Sequence, residues 1–355
     1  MQYLKTYLQK ITDRGNIKLA ESISKTSEDV GNKYIKTFSF SSHEIGLLFG
    51  NVQSGKTGQM FGIMCKAADL GFPVFVLLTT DNVVLQQQTL SRVKSDLDGF
   101  CICGETDAGL FAENSLIQPA IIVLKKNVRV LKLWANILNS TGFMKGNPLF
   151  IIDDEADAAS LNTLINKDRQ SSINKYLDAI KNGASSSLYL QVTGTPQAIF
   201  LQTIASGWHP YFTYYFQPGN AYLGGDFFFP VRGKPACVSF LEMLKNPTKD
   251  VVIRHIAASA QILLSGGKVS NCLFHPSVRV AAHKKFADEV QKELKWCIEN
   301  TDSDFKSELM KQYTALAPVK SQKADFAVLY EKSKELLLSQ SIKILIMNGK
   351  NDISS

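Results

Sequence analysis

The spacing of apolar residues between positions 44 and 230 restricts this chain to few folds. Continuous apolar runs of four to six residues are typical of strands buried on both faces of a sheet. Five such runs occur: IGLLFG (45–50), PVFVLLTT (73–80), AIIVLKK (120–126), PLFIIDD (148–154) and LYLQVTG (188–194). Helices are predicted between them, at 56–70, 83–97, 127–139 and 171–182. This alternation predicts an α/β domain over residues 44–230, with a doubly wound parallel sheet.

Two further regions flank this domain. Residues 1–43 are expected to form an N-terminal helical extension, because apolar side chains recur there at helical spacing. Beyond a connector rich in glycine, proline and aromatic residues, residues 231–355 are predicted to be mainly helical. The helices are expected at 250–265, 277–299, 303–316 and 324–338, and two strands at 271–275 and 342–348. Two strands are fewer than a parallel sheet usually has, so we expect a partial, helix-rich second domain.

The composition narrows the class of protein. Hydrophobic residues make up 45% of the chain and charged residues 20%, which is typical of a folded protein rather than a disordered one. No apolar run approaches the roughly 20 residues that span a bilayer, and the first residues do not form a signal peptide. The six cysteines have no metal or redox spacing. We expect a cytoplasmic protein with reduced cysteines and no membrane partner.

Residues 50–57 read GNVQSGKT and match the spacing of a phosphate-binding loop. A predicted strand precedes the loop and a predicted helix follows it, which aims backbone N–H groups and the positive end of the helix at one point. We expect Lys56 to contact the β and γ phosphates of ATP and the Thr57 hydroxyl to hold Mg²⁺. An incidental glycine-rich turn is the alternative. The residues expected to contact the nucleotide are Gly50, Asn51, Val52, Gln53, Ser54, Gly55, Lys56, Thr57 and Gly58.

Acidic residues end the run PLFIIDDEADAAS (148–160). Ligands gather at the carboxyl ends of parallel strands, so these acids are expected beside the phosphate loop. We assign Asp154 to Mg²⁺, and Asp153 shares that role because three consecutive acids leave the register uncertain by one residue. Glu155 is the candidate general base for an attacking water, so Lys56, Asp154 and Glu155 form the expected catalytic set. The alternative is a helix N-terminus enriched in acids.

The next predicted strand ends in the sequence VTGTP. Thr193, Gly194 and Thr195 are candidates for coupling the site to the rest of the protein. The two hydroxyl groups are placed to hydrogen-bond the side chains of Asp154 and Glu155 and to sense the γ-phosphate. An ordinary turn at a strand exit is the alternative.

These elements, in this order, resemble helicase superfamily two, whose second motif is often spelled DEAD, as it is at Asp154–Asp157. The wording is closer still to the Z-one domain family. The shared strings are GNVQSGKT, VLKKN (123–127), IIDDEAD, VTGTP, GNAYLGGDFF and LFHPSVRVAAH. From about residue 44 onwards, the resemblance implies a RecA-like P-loop NTPase domain followed by part of a second one. It also implies an endonuclease-associated ATPase that acts on DNA in bacterial restriction or phage defence, with a nuclease domain or subunit as its partner.

The sequence departs from the superfamily in one respect. It contains no GRxxR-type segment, which in superfamily two supplies an arginine finger from the second RecA-like domain, and no nuclease centre. We therefore expect either a fragment or a short form completed by a partner, with weak ATP hydrolysis by the chain alone.

Nucleic-acid contacts are expected where chain segments leave the carboxyl ends of strands, and in one later segment. They are expected to reach the phosphate backbone rather than the bases, in keeping with the mild net charge of +7. Solvated side chains at helix starts are the alternative. The candidates are Thr79, Gln87, Arg92, Lys125, Lys126, Arg129 and Arg279.

Two functions fit these features. The first is an ATP-dependent motor or remodelling module that acts on DNA. The second is a nucleotide-gated switch or scaffold that recruits a nuclease without translocating. A small-molecule kinase is disfavoured, because DEAD-like acids favour the activation of water. The oligomeric state is left open.

Overall fold

The contacts within the chain divide it into two units, Met1–Ala236 and Cys237–Ser355. They are seen in a computed structural model. The residues that the structure describes are 2–114, 117–140, 145–158, 160, 171–201, 207–219, 222–232, 238, 247–277, 279–316, 322–339 and 341–346. Residues 1–43 belong to the first unit, together with the predicted sheet.

A seven-stranded parallel sheet forms the centre of the first unit. Its strands run in the order β3-β4-β2-β5-β6-β1-β7, and every neighbouring pair is parallel. The bounds are β1 His43–Phe49, β2 Val74–Thr79, β3 Cys101–Cys103, β4 Ala120–Lys125, β5 Pro148–Asp154, β6 Ser186–Thr193 and β7 Phe212–Tyr215. The predicted α/β class and RecA-like doubly wound parallel sheet are confirmed.

Helices cover both faces of this sheet. Alternate residues of β2 show why its apolar run is continuous: Phe75 and Leu77 pack in one buried cluster, whereas Val74 and Val76 pack in the other. The first cluster includes residues of α1, α2, α3 and α4, and the second includes residues of α5, α6 and α7. The helices of this unit are α1 Tyr3–Asp13, α2 Ile17–Val30, α3 Lys56–Asp69, α4 Val83–Asp96, α5 Ala108–Asn114, α6 Val128–Ser140, α7 Ser172–Gly183, α8 Gln197–Phe200 and α9 Gly225–Phe228.

The two strands that were not predicted, β3 and β7, lie at the edges of the sheet. They span three and four residues. An edge strand has one strand neighbour instead of two, and runs this short do not develop the continuous apolar signal of the inner strands. The structure therefore extends the predicted five strands on both sides.

The two N-terminal helices pack against α3, the helix that follows the predicted phosphate loop. Close approach depends on a glycine of α3, since a Cβ added to Gly62 would lie 2.4 Å from both Ile23 and Ser27 of α2. The Asp69 carboxylate at the end of α3 accepts hydrogen bonds from the backbone N–H groups of Tyr3, at 2.7 Å, and Leu4, at 3.1 Å. These bonds satisfy orphan donors in the first turn of α1. A π-helical turn, Gly31–Ile35, continues α2.

The second unit is helical in its described residues. Its helices are α10 Pro247–Leu264, α11 Val280–Glu299, α12 Asp304–Thr314 and α13 Phe326–Leu338, and they enclose a separate apolar cluster. The predicted strands at 271–275 and 342–348 are wrong as far as the structure describes them, because 271–275 and 342–346 join no β-ladder; residues 347 and 348 lie outside the described part. Phe274, Ile342 and Ile344 instead pack against the helical cluster, which explains their apolar pattern.

Within the described ranges, no helix of either unit is both long and apolar enough to cross a membrane.

Candidate nucleotide-binding site

The predicted phosphate loop joins β1 to α3 in the expected strand–loop–helix unit. Gly55 precedes the helix in the left-handed region, with φ of 93°, where a residue with a Cβ is strained. Gln53 also has a positive φ, of 57°, which costs a residue with a side chain about 1–2 kcal/mol. The helix starts at once, since the carbonyl of Gly55 accepts the N–H of Gly58 at 3.0 Å. This geometry leaves the first N–H groups of α3 without helical partners, as an anion site requires.

The Lys56 ammonium lies next to the loop that leaves β6. A Cβ added to Gly194 would lie 3.0 Å from Lys56 Nζ and 3.3 Å from a methyl group of Val52. The ammonium donates a long hydrogen bond to the Asn51 carbonyl at 3.5 Å. In the parts of the chain that the structure describes, no carboxylate lies within ion-pair distance of it. The cation is thus available to a phosphate.

Aromatic residues at the end of β7 and beyond it also contact the loop. The Tyr215 hydroxyl donates to the Asn51 side-chain oxygen at 3.1 Å, and the Tyr222 hydroxyl donates to the Val52 carbonyl at 2.6 Å. The ring of Phe216 occupies the space beside Gly50, where a Cβ would lie 2.3 Å from it. Sequence reasoning missed Tyr222 because it lies in the glycine- and proline-rich connector, and it gave Tyr215 and Phe216 no role. The short aromatic run from 211 to 216 was the available signal.

Asp153 faces the interior and not the loop. One carboxylate oxygen accepts from Lys126 Nζ at 3.0 Å and the other from the Tyr189 hydroxyl at 2.7 Å, and the Asp153 side chain is 0% exposed. Burial and the neighbouring Asp153 raise the pKa of Tyr189 well above its usual value. Both oxygens of Asp153 are engaged, so the expectation that it shares a metal ion does not hold. Consecutive strand residues point to opposite faces, which leaves Asp154 as the candidate ligand.

Asp154 lies in a crowded acidic environment. Burial and the adjacent Glu155 raise the pKa of its carboxyl to about 6, although Lys126 and Lys56 lower it. A divalent cation would relieve this repulsion, and carboxylate and hydroxyl oxygens are ligands that Mg²⁺ accepts. The described residues hold no group of three or more His, Cys, Asp or Glu side chains arranged for a metal. The assignment of Mg²⁺ to Asp154 and Thr57 stays a prediction.

This crowding predicts that Asp154→Asn makes the metal-free protein more stable at pH 8. A carboxyl whose pKa is higher in the folded state than its usual ~3.9 is costly when ionised, and two pKa units correspond to about 3 kcal/mol. We expect a gain of about 1–3 kcal/mol in the free energy of unfolding, measured by urea unfolding in EDTA. The gain should shrink as the pH falls through 6 towards 4, because the wild-type carboxyl then becomes neutral.

Asp157→Asn is the matched control, because the pKa of Asp157 is shifted in the opposite direction. Its carboxylate is stabilised when ionised, so this substitution should lower stability at pH 8. An Asp154→Asn protein less stable than the wild type at pH 8 would contradict the prediction.

Glu155 follows the strand in an unusual conformation. Its φ is 56°, in the left-handed region, and its side chain is exposed. Backbone contacts fix the turn: the Glu155 carbonyl accepts from Lys126 Nζ at 2.8 Å and from the Ala158 N–H at 2.9 Å, and the Ala156 N–H donates to the Val192 carbonyl at 3.0 Å. The exposed carboxylate is accessible to water. A general-base role stays a prediction.

The threonines after β6 bind a different acid from the ones expected. The Thr193 hydroxyl donates to one oxygen of Asp157 at 2.6 Å and the Thr195 hydroxyl to the other at 2.5 Å, instead of to Asp154 or Glu155. Burial alone would raise the pKa of Asp157, but these two hydrogen bonds bring it below its usual value. Asp157 was given no role from the sequence, although it is the last residue of the DEAD string and could have been considered with the other acids.

The candidate nucleic-acid residues fall into three groups by exposure: buried, half-buried and exposed. Thr79 and Lys126 are buried, and their polar atoms bond neighbouring backbone or Asp153, so neither can reach a phosphate backbone. Those two expectations do not hold. Lys125 is half-buried, and its Nζ lies 3.7 Å from Oε2 of Glu105. The exposed candidates are Gln87 and Arg92 on α4, Arg129 on α6, and Arg279 in the second unit.

No family model and no curated protein matches the sequence. Among solved structures, the Pyrococcus furiosus Hef helicase domain aligns over 89% of this chain and 68% of that one, at 13% identity and a TM-score of 0.38. PCH-2 of C. elegans aligns over 92% of this chain and 69% of that one, at 11% identity and a TM-score of 0.26. The Aeropyrum pernix ORC2 protein aligns over 88% of this chain and 93% of that one, at 10% identity and a TM-score of 0.29. Scores this low establish neither a family nor a function.

Proposed function

We propose that the first unit binds ATP with Mg²⁺ and hydrolyses it. One observation carries the proposal: the phosphate loop, the acidic turn and the VTGTP loop leave three adjacent strands, β1, β5 and β6, at the same edge of the sheet. Lys56 is close enough to Asp154 to affect its pKa and lies beside Gly194. Ligands of open parallel sheets bind at this edge.

Each residue then has a defined task. The loop and the first N–H groups of α3 would hold the phosphates, with Lys56 against the β and γ positions. Thr57 and Asp154 would hold Mg²⁺, which neutralises charge on the phosphate oxygens when it is bound. A carboxylate oxygen of Glu155 would take the proton from the attacking water.

The finer proposal is a superfamily-two-like motor or remodelling module that acts on DNA. The sequence strings shared with the Z-one domain family support it, and with them a bacterial, cytoplasmic restriction or phage-defence setting with a nuclease partner. The mild positive charge and the exposed side chains of Gln87, Arg92, Arg129 and Arg279 suit contacts with a phosphate backbone.

A nucleotide-gated switch is the second candidate, and one surface favours it. Val83, Val84 and Leu85 begin α4 just beyond the carboxyl end of β2, and they are 53%, 56% and 48% exposed. Consecutive exposed apolar residues suit a protein partner better than a polyanion. A motor's ATP hydrolysis should rise when DNA is added to the complete assembly, whereas that of a switch should not.

The test of nucleotide binding is Lys56→Ala. Each charge-assisted hydrogen bond contributes about 1.5–3 kcal/mol, so the variant should bind ATP·Mg²⁺ roughly tenfold more weakly or worse. Titration calorimetry measures the affinity. Lys10→Ala, which removes a surface ion pair with Asp98, serves as the control and should leave the affinity unchanged. Equal affinity for Lys56→Ala and the wild type would refute the proposal.

A further inference from the structure

The side chain of Lys126 is enclosed by the turn that carries the acids. Its ammonium donates to the carbonyl oxygens of Asp154 at 2.9 Å, Glu155 at 2.8 Å and Ala158 at 3.0 Å, and to the carboxylate of Asp153 at 3.0 Å. The Lys126 side chain is 1% exposed. Four acceptors thus converge on a group with three N–H donors. The backbone of residues 154–158 wraps around one buried cation.

These contacts explain how the turn keeps its shape. A left-handed φ at Glu155 is costly for a residue with a Cβ and persists only where the surroundings determine it. The turn also directs several carbonyl oxygens inwards, where each needs a donor. Lys126 supplies those donors, so the strained conformation and the buried cation stabilise each other.

Lys126 itself is fixed from a different part of the sheet. It follows β4, which is separated from β5 by β2, and its backbone N–H donates to the Thr79 carbonyl at 2.9 Å. The side chain therefore reaches past the end of β2 to the end of β5. The backbone of Lys126 is thus held by β2, outside the acidic turn that its side chain supports.

We propose that Lys126 is a positioning residue, which sets the places of the Asp154 and Glu155 carboxylates through their backbone. This inference rests on the proposed ATP site. It assigns Lys126 to the interior of that site, where it touches neither nucleotide nor metal.

The comparison of Lys126→Met with Lys181→Met tests it. Lys181 is also buried and also donates to a carbonyl, that of Gly207 at 3.2 Å, but it belongs to α7. Two measurements are made on each full-length variant. Hydrogen exchange reports the amide protection of residues 153–158, and calorimetry gives the ATP affinity in EDTA and in Mg²⁺.

In Lys126→Met, the amides of residues 153–158 should lose protection from exchange. The factor by which Mg²⁺ increases the ATP affinity should be at least about tenfold smaller than in the wild type. The ATP affinity in EDTA should stay within about twofold of the wild-type value. The reason is that Lys126 does not support the phosphate loop, whereas it does hold the backbone of Asp154. Lys181→Met should leave the exchange of residues 153–158 and the Mg²⁺ effect unchanged. A Lys126→Met protein with wild-type exchange and a wild-type Mg²⁺ effect would overturn the inference.

Lys126→Arg serves if the methionine variant does not fold. Its charge is kept, but a planar guanidinium cannot direct N–H groups at acceptors that surround a single nitrogen. The amides of residues 153–158 should therefore exchange faster in Lys126→Arg, and Mg²⁺ should increase its ATP affinity less than it does for the wild type. Wild-type exchange together with a wild-type increase in affinity would also overturn the inference. A wild-type protein that binds no ATP would refute the proposed function alone, because the exchange measurement still decides the role of Lys126.

Discussion

The chain by itself is expected to bind ATP·Mg²⁺ and yet release phosphate much more slowly than the roughly 1 s⁻¹ of a slow complete enzyme. In the proposed site, binding uses the loop, Lys56 and the oxygens of Thr57 and Asp154, which all lie in the first unit. Stabilisation of the transferring phosphoryl group needs a further cation. Arginine fingers contribute on the order of 10³–10⁵ in rate, and the sequence has no GRxxR-type segment to supply one.

Two measurements on the same preparation examine this expectation. ATP·Mg²⁺ should raise the melting temperature of the wild type, since a ligand that binds only the folded state stabilises it. Phosphate release should stay close to background, with or without DNA. Lys56→Ala is the control for the melting shift and should lose most of it. Turnover near roughly 1 s⁻¹ would show that another group replaces the finger.

Glu155→Gln is expected to abolish the hydrolysis of the complete assembly while leaving nucleotide affinity near that of the wild type. The substitution keeps the size of the side chain and removes the oxygen that accepts a proton from water. Positioned general bases contribute about 10²–10⁴ in rate, so single-turnover hydrolysis should fall by that factor. The exposed carboxylate, outside the hydrogen-bonded frame of the turn, explains why binding should survive.

Asp157→Asn provides the comparison for this prediction. Its carboxylate is occupied by Thr193 and Thr195, so it is not available to deprotonate water. Full turnover by Glu155→Gln would remove Glu155 from the mechanism. If Asp157→Asn alone abolished hydrolysis with unchanged affinity, the base would have to be Asp157.

The inner sheet was predictable because its strands are buried on both faces, so that each one appears as a continuous apolar run. That same property hides which residues share a face. The sequence IIDDEAD therefore cannot show that Asp153 points inwards to Lys126 and Tyr189, whereas Asp154 lies on the opposite face of the strand. Which residues of a strand share a face can be predicted only where apolar and polar residues alternate, and in these strands they do not alternate.

The buried lysine was misread for a related reason. In VLKKN, Lys125 and Lys126 are chemically identical, but one is half-buried beside Glu105 and the other is enclosed by carbonyl groups. Charged residues are almost never fully buried unless they are paired, and the partner here lies 27 positions further along the chain. Only the three-dimensional structure brings the two together. The threonine–Asp157 pairs, 36 and 38 positions apart, were misassigned for the same reason.

The place of β1 in the sheet determines when the phosphate loop can form. Its two neighbours are β6 and β7, so β1 pairs with no strand that is near it in sequence, and His43 lies 144 positions before its contact Ser187. Contacts between residues so far apart must overcome a large loop-closure entropy before they contribute any stability, so we expect them to form late in folding. Helix α3 and its packing against α2 are local and can form earlier. We therefore expect the proposed nucleotide site to form late, when the loop is at last fixed between β1 and α3, so that nucleotide binding would report that the sheet is complete.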